Sequence, residues 1–180
     1  MKNPQTYKEW CDCLAIFEAG GRDEEVLRLM TGGRLTLQSG VIERISARVE
    51  ATFSMRLKIC GERFNRHLQN ILLPEEISKA LVEARRALRI LQSLAQLEPL
   101  GEKLRDFLLG QLEQAAADWQ RNLEDGARNI DRTGNILVTI RRSSLTNYKY
   151  QDSPAVTSAR PSNPSQAFSG RRPPLVIDPK

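Results

Sequence analysis

Residues 36–72 read TLQSGVIERISARVEATFSMRLKICGERFNRHLQNIL. Apolar residues recur along this stretch at alternating steps of three and four positions, which is the spacing of one face of an α-helix. The members of this central stripe are Ile42, Ile45, Val49, Phe53, Leu57, Cys60, Phe64, Leu68 and Ile71. The stripe predicts one long helix whose apolar face must be covered by other helices.

Two shorter helices are predicted before the central stripe. Thr6 and Glu9 have the spacing of a capping box, and Gly20-Gly21 ends the helix that follows it. The predicted buried positions of this first helix are Tyr7, Trp10, Cys11, Leu14 and Phe17. Asp23 can cap a second helix, which Gly32-Gly33 ends.

Two further long helices are predicted after the central stripe. Pro74 breaks the third helix and suits the first turn of a fourth, which Pro99 interrupts. The fifth helix has its own stripe, made of Leu100, Leu104, Phe107, Leu108, Leu112, Ala115, Trp119 and Leu123. Together these patterns predict an all-α fold, an antiparallel helical bundle of long, coiled-coil-like helices.

The stretch from Gly126 to Arg142 has two interpretations. Residues 136–140, ILVTI, are β-branched enough for a short strand behind the turn residues 133–135. However, apolar spacing continues from the fifth helix through Ile130 and Leu137, and no second strand is available for pairing. We therefore favour a continued helix that frays near Arg142.

The C-terminal residues differ in composition from the rest of the chain. Most of the prolines and serines lie there, with few large apolar groups to offset the loss of chain entropy. We predict a helical domain at residues 1–142 and a disordered, basic, Pro/Ser-rich tail at residues 143–180.

The net charge of +5 is concentrated near the C-terminus. Residues 1–125 contain 18 Lys and Arg against 19 Asp and Glu, which leaves 9 against 3 for residues 126–180. Because the predicted helical part is nearly neutral, the basic charge is a weak indication of nucleic-acid binding. The sequence also has neither a signal peptide nor a window apolar enough to span a bilayer, so we predict a cytoplasmic protein without membrane insertion.

The residues that carry chemistry are few and scattered. His67 is the single histidine, and it is interpreted as a partly exposed helix residue. Cys11 and Cys13 lie two positions apart and point to nearly opposite sides of a helix, so they do not form a metal pair. Cys11 and Cys60 are interpreted as core residues and Cys13 as incidental. We therefore predict no enzymatic activity, no cofactor and no metal site.

Five arginines border the central stripe within an arc of about 120° on the helix. They are Arg44, Arg48, Arg56, Arg63 and Arg66. One interpretation is a stripe that contacts phosphates. We favour an ordinary solvated flank that pairs with acidic neighbours, because the sequence lacks a helix-turn-helix pattern and exposed aromatic residues for base stacking.

Trp119 lies far along the stripe of the fifth helix, after Ala115-Ala-Ala117. Small residues allow another helix to approach closely at this point. A stripe that extends beyond the helices available to cover it is a candidate groove for a partner.

One part of the chain resembles a known family. Residues Ala19-Gly-Gly-Arg-Asp23 precede Val26, Leu27 and Leu29, and then come Arg34 and the central stripe. This order resembles the flagellar type III export chaperones of the FlgN type, in the segment where a helix, a turn of small residues and aspartate, and a second helix meet.

The end of the chain is similar to the same family in two places. Trp119-Gln-Arg-Asn122-Leu123 resembles its last helix, and Pro174-Leu-Val-Ile-Asp178 resembles the short apolar and acidic ending of some members. The resemblance implies a cytoplasmic export chaperone or adaptor that holds a hook-associated subunit with its last helix and tail. It places five residues near the client, namely Leu112, Ala116, Trp119, Leu123 and Ile130.

Two alternatives to a protein-holding chaperone follow from the sequence. The first is a helical protein or small regulator associated with nucleic acid, which would use the arginine stripe and the basic tail. The second is a coiled-coil homo-oligomer whose stripes bury one another between chains.

Overall fold

The computed structural model describes residues 2–34, 39–69, 74–128 and 134–148. These residues belong to one compact unit and form six α-helices and a 3₁₀ turn, with no strand among them. The helices are α1 (Tyr7–Ala19), α2 (Asp23–Thr31), α3 (Ser39–Gln69), α4 (Pro74–Ala95), α5 (Glu102–Arg128) and α6 (Asn135–Arg142), and the 3₁₀ turn is Leu145–Asn147. The predicted all-α class is confirmed.

The N-terminus of α1 is capped by the residues that precede it. The Thr6 hydroxyl accepts a hydrogen bond from the Glu9 N–H at 3.3 Å, and the Glu9 carboxylate accepts from the N–H groups of Gln5 and Thr6 at 2.7 and 3.0 Å. These backbone hydrogen bonds hold the pKa of the Glu9 carboxyl below its ordinary value. The capping box predicted from Thr6 and Glu9 is therefore present and precedes Tyr7, the first helical residue.

Helices α3, α4 and α5 form the main part of the bundle. Four residues separate α3 from α4, and the two helices reverse direction across this connection. α5 reverses again and runs parallel to α3, because Phe64 and Asn65 of α3 meet Trp119 and Asn122 of α5 in the same order. The buried faces of these helices share one apolar core within the chain.

Helices α1 and α2 pack on the first half of this bundle. The Glu18 carboxylate at the end of α1 accepts hydrogen bonds from Arg48 at 2.7 Å and from the buried Thr52 hydroxyl at 2.6 Å, both on α3. α2 reaches α4, where Glu24 pairs with Arg86 at 2.9 Å. α1 and α2 therefore cover one side of α3 and α4.

The buried face of α1 differs from the prediction at three positions. Cys13 is buried and Cys11 is only half-buried, and Tyr7 is exposed. The interpretation of Cys11 as a core residue and Cys13 as incidental was thus wrong. The core side of α1 is rotated toward Cys13 because α2 and α3 both pack there, and spacing alone does not show where neighbouring helices lie.

The chain turns back after α5, so the predicted continuous helix through residue 142 was wrong. Gly134, which precedes α6, has a φ of 75° in the left-handed region and cannot be part of a regular helix. A straight helix would separate residues 124 and 141 by about 25 Å. Instead, Arg141 lies 3.5 Å from Glu124 in an ion pair, and α6 packs against α5.

Ordered packing continues six residues past the predicted end of the domain at residue 142. Leu145 and Tyr148 are buried, and the Gln120 side chain of α5 accepts a hydrogen bond from the Leu145 N–H at 2.9 Å. The Arg85 guanidinium of α4 donates to the Ser143 carbonyl. These contacts hold residues 143–148 on α4 and α5, and the predicted disordered tail from residue 149 onward lies outside the described residues.

The burial of Leu112 gives a direct test of this fold. Leu112 is 0% exposed at the centre of α5, so Leu112→Ala is expected to leave a cavity and lower the free energy of unfolding by about 2–5 kcal/mol. Phe107→Ala is the control, because Phe107 is 51% exposed on the same helix and its loss should cost about 1 kcal/mol or less. Urea denaturation measures both. Equal effects would contradict the placement of Leu112 in the core.

Candidate functional site

A cleft of about 900 Å³ opens on the described part of the chain, between α2, α3 and α4. Its apolar lining consists of Cys60, Phe64, Ala80, Ala84, Ala87, Ile90, Leu91 and Trp119. Its charged and polar lining consists of Arg22, Asp23, Glu24, Glu25, Arg28, Arg56, Arg63, His67, Glu83 and Arg86, with Gly21 at the edge. The volume of this cleft is within the range of binding sites, and its lining has charged and apolar residues in similar numbers.

The cleft lies where α3 lacks fully buried side chains and α4 presents alanines. Between Phe53 and Phe64 of the central stripe, α3 has no fully buried residue, and Leu57 and Cys60 are only half-buried. Opposite them, α4 presents small side chains, Ala80, Ala84 and Ala87, at helical spacing. The prediction of a continuously covered central stripe is therefore wrong in this middle section.

Trp119 of α5 reaches the floor of the cleft. Its ring stacks on Phe64, with centroids 5.4 Å apart and planes inclined by 25°. Gly61 allows this position, because a Cβ at residue 61 would lie 3.3 Å from the Trp119 Nε1. The two stacked rings are therefore largely buried and form part of the floor, with 5% of Phe64 and 6% of Trp119 exposed.

The wall formed by α2 is attached to α3 by Arg56. The Arg56 guanidinium donates to the Asp23 carboxylate at 2.5 Å and lies over the Phe17 ring, 5.2 Å from its centroid. About 15% of each side chain in the ion pair is exposed, so the charges are largely removed from water and depend on each other. Gly20 is close enough that an added Cβ would lie 3.0 Å from Arg56 Nη1.

The rim of the cleft is rich in charge, and most of that charge is paired. Glu24 pairs with Arg86 at 2.9 Å, Glu25 with Arg22 at 4.0 Å, and Glu83 lies 3.7 Å from His67 Nδ1. These side chains are exposed, so each pair contributes little to stability. Among the described residues, Arg28 and Arg63 line the same cleft without an ion-pair partner.

Cys60 does not give the cleft a reactive nucleophile. Burial raises the pKa of the Cys60 thiol, against the smaller lowering effect of the nearby Arg56 charge. The thiol therefore stays protonated at neutral pH, and the protonated form is a poor nucleophile. Cys60 serves as part of the apolar lining.

The residues predicted to bind a partner are placed differently from one another. Leu112, Ala116 and Leu123 are buried in the core, where α5 packs against α3, α4, α6 and the 3₁₀ turn. Trp119 is the member of the set that lines the cleft, with 6% of its surface exposed. Ile130 lies outside the described residues.

The arginine stripe is divided between two environments. Arg48 and Arg56 pair with Glu18 and Asp23, as expected for a flank that binds acidic neighbours. Arg44 is exposed outside the cleft, whereas Arg63 is exposed within its lining. The five arginines therefore do not form one continuous free surface.

Sequence reasoning missed the contribution of α2 and α4 to the site. The alanines at positions 80, 84 and 87 share one face of a helix, and this spacing is the one signal that indicates a shallow surface on α4. The partners of Asp23 and Glu24 lie 33 and 62 positions away along the chain, at Arg56 and Arg86, so local spacing does not reveal them.

The described residues offer neither a metal site nor a membrane-spanning helix. They contain no group of three or more His, Cys, Asp or Glu side chains that could hold a metal ion. Within the same residues, no helix is both long and apolar enough to cross a membrane.

Comparison of the whole chain with protein-family models, with curated proteins and with solved structures gave no match.

The close approach of Arg56 to Gly20 predicts a difference between two neighbouring glycines. Gly20 and Gly21 both have positive φ, at 78° and 92°, so alanine is strained by about 1–3 kcal/mol at either position. At Gly20 the added Cβ also crowds Arg56, whereas nothing lies within 4 Å at Gly21. Gly20→Ala should lower the free energy of unfolding by about 1 kcal/mol more than Gly21→Ala. Identical losses would show that Arg56 is not held in place.

Proposed function

We propose that this chain is a non-enzymatic helical binding protein that holds a partner protein, and that the cleft between α2, α3 and α4 receives a helical segment of that partner. The observation that supports the proposal is the cleft itself, whose lining combines aromatic and aliphatic residues with charged side chains. Grooves of this kind bind the apolar face of an amphipathic helix through shape and apolar contact.

The proposed biological role is that of a cytoplasmic export chaperone or adaptor. Its support is the resemblance of residues 19–34 and 119–123 to the FlgN type of flagellar chaperone, which implies a hook-associated subunit as client. Because Leu112, Ala116 and Leu123 are buried, we place the proposed contact in the cleft and not along α5. Trp119 was predicted to bind the partner and also lines the cleft, so we expect it at the centre of the contact.

Filling the cleft tests the proposal. Ala87→Trp would place a large ring over the floor, because Ala87 lines the cleft and is half-buried there. Ala51→Trp is the matched control, because Ala51 is exposed on α3 and does not line the cleft. Affinity capture from lysate with the full chain should recover one protein with the wild type and the control, and the Ala87→Trp variant should lose it.

Salt concentration separates the proposal from the nucleic-acid alternative. Apolar groove binding should persist when salt rises from about 50 to 500 mM, whereas binding through phosphates should fall by several orders of magnitude. Capture that is unaffected by Ala87→Trp, or a captured nucleic acid that high salt removes, would contradict the proposal.

A further inference from the structure

We infer that the segment held in the cleft is an acidic amphipathic helix, whose carboxylates pair with Arg28 and Arg63 while its apolar face covers Trp119 and the alanines of α4. The inference rests on the proposed function, since it specifies the chemistry of the segment that the cleft would hold. It comes from the balance of paired and unpaired charges around the opening.

The carboxylates that line the cleft already have partners. Asp23 is bound to Arg56, Glu24 to Arg86 and Glu25 to Arg22, and Glu83 faces the His67 imidazole. A basic segment entering the cleft would have to compete with Arg56, Arg86 and Arg22 for three of the four carboxylates. On the described lining, Glu83 is thus the one carboxylate without an arginine partner, against the two arginines that have no carboxylate.

Arg28 and Arg63 are the cations that remain available. Arg28 lies on α2 and Arg63 on α3, so two of the helices that form the cleft each contribute one exposed guanidinium without an ion-pair partner among the described residues. Guanidinium groups bind carboxylates through paired hydrogen bonds with fixed geometry. Carboxylates on the flanks of an entering helix would supply the missing partners.

The floor between these arginines suits a helix. Ala80, Ala84 and Ala87 lie on one face of α4 and have short side chains, which lets a second helix come close to the α4 backbone. From Ala80 to Leu91 the floor extends for about 16 Å, the length of three helical turns. The larger apolar side chains of the entering helix would then reach Phe64 and Trp119.

A polynucleotide fits the same lining less well. The cleft is lined by five arginines and four carboxylates, so a phosphate backbone would meet nearly as many negative as positive groups. The two aromatic rings of the floor stack on each other and are not separate platforms for bases. Discrete carboxylates beside an apolar face match the two available arginines better.

The test uses dye-labelled synthetic peptides of about 18 residues, or five helical turns, with the full-length protein. One peptide has a leucine face flanked by glutamates, a second has lysines in place of the glutamates, and a third has the composition of the first in an order without an apolar face. Fluorescence anisotropy measures the dissociation constant of each. The protein variants are Arg28→Glu, Arg63→Glu, the double variant, Ala87→Trp and the control Arg44→Glu, since Arg44 is exposed on α3 outside the cleft.

The glutamate-flanked helix should bind the wild type more tightly than the other two peptides. Each charge reversal in the cleft should weaken it about five- to tenfold, and Arg44→Glu should change it less than about twofold. The double variant should bind the lysine-flanked peptide more tightly than the wild type does. This gain cannot come from misfolding, because an unfolded variant would lose affinity for every peptide.

Three results would overturn the inference, and they separate it from the proposed function. If glutamate- and lysine-flanked helices bind equally and only Ala87→Trp removes them, the cleft holds apolar helices and the acidic preference is wrong. If the peptide without an apolar face binds as tightly as the helical one, the arginines attract any polyanion and the cleft is not used. If no peptide binds, both the inference and the proposed function fail.

Discussion

The position of Arg56 is the constraint on which the cleft depends. Its guanidinium is bound to Asp23 at 2.5 Å, lies over the Phe17 ring and faces Gly20, so one side chain of α3 contacts the end of α1, the turn and the start of α2. A largely buried guanidinium without a carboxylate would be strongly unfavourable, and the same is true of Asp23 without Arg56. This mutual dependence holds α2 beside α3 and α4 and creates the wall of the cleft.

The two long apolar stripes have the opposite of their expected roles: the stripe of α5 lies in the core, and the central stripe of α3 is partly uncovered. Leu112 and Leu123 of the α5 stripe are buried within the bundle, so they contribute to stability. The central stripe of α3 is open in its middle, where Cys60 meets the small residues of α4. A partner is therefore better placed at the middle of α3 than along α5. Trp119 connects the two helices, because it extends from α5 to the cleft floor.

Local features of the sequence predicted the helices well and the open surface poorly. The capping residues Thr6 and Glu9, the glycines after α1 and Pro74 all act on their immediate neighbours, so their effects can be derived from spacing. Which face remains uncovered depends on distant contacts, such as the hydrogen bond from the Leu145 N–H to Gln120 across 25 residues. Periodicity shows that a face is apolar, but it does not show which element packs on it.

A double-mutant cycle on Asp23 and Arg56 tests the central claim most directly. Asp23→Asn, Arg56→Met and the double variant are compared by the free energy of unfolding in urea, with the full chain. If the pair holds α2 on α3, the two substitutions should be coupled by about 1–3 kcal/mol, because removing either partner leaves the other unpaired. Effects that add to within about 0.5 kcal/mol would contradict the claim, since independent residues cannot form the wall of the cleft together.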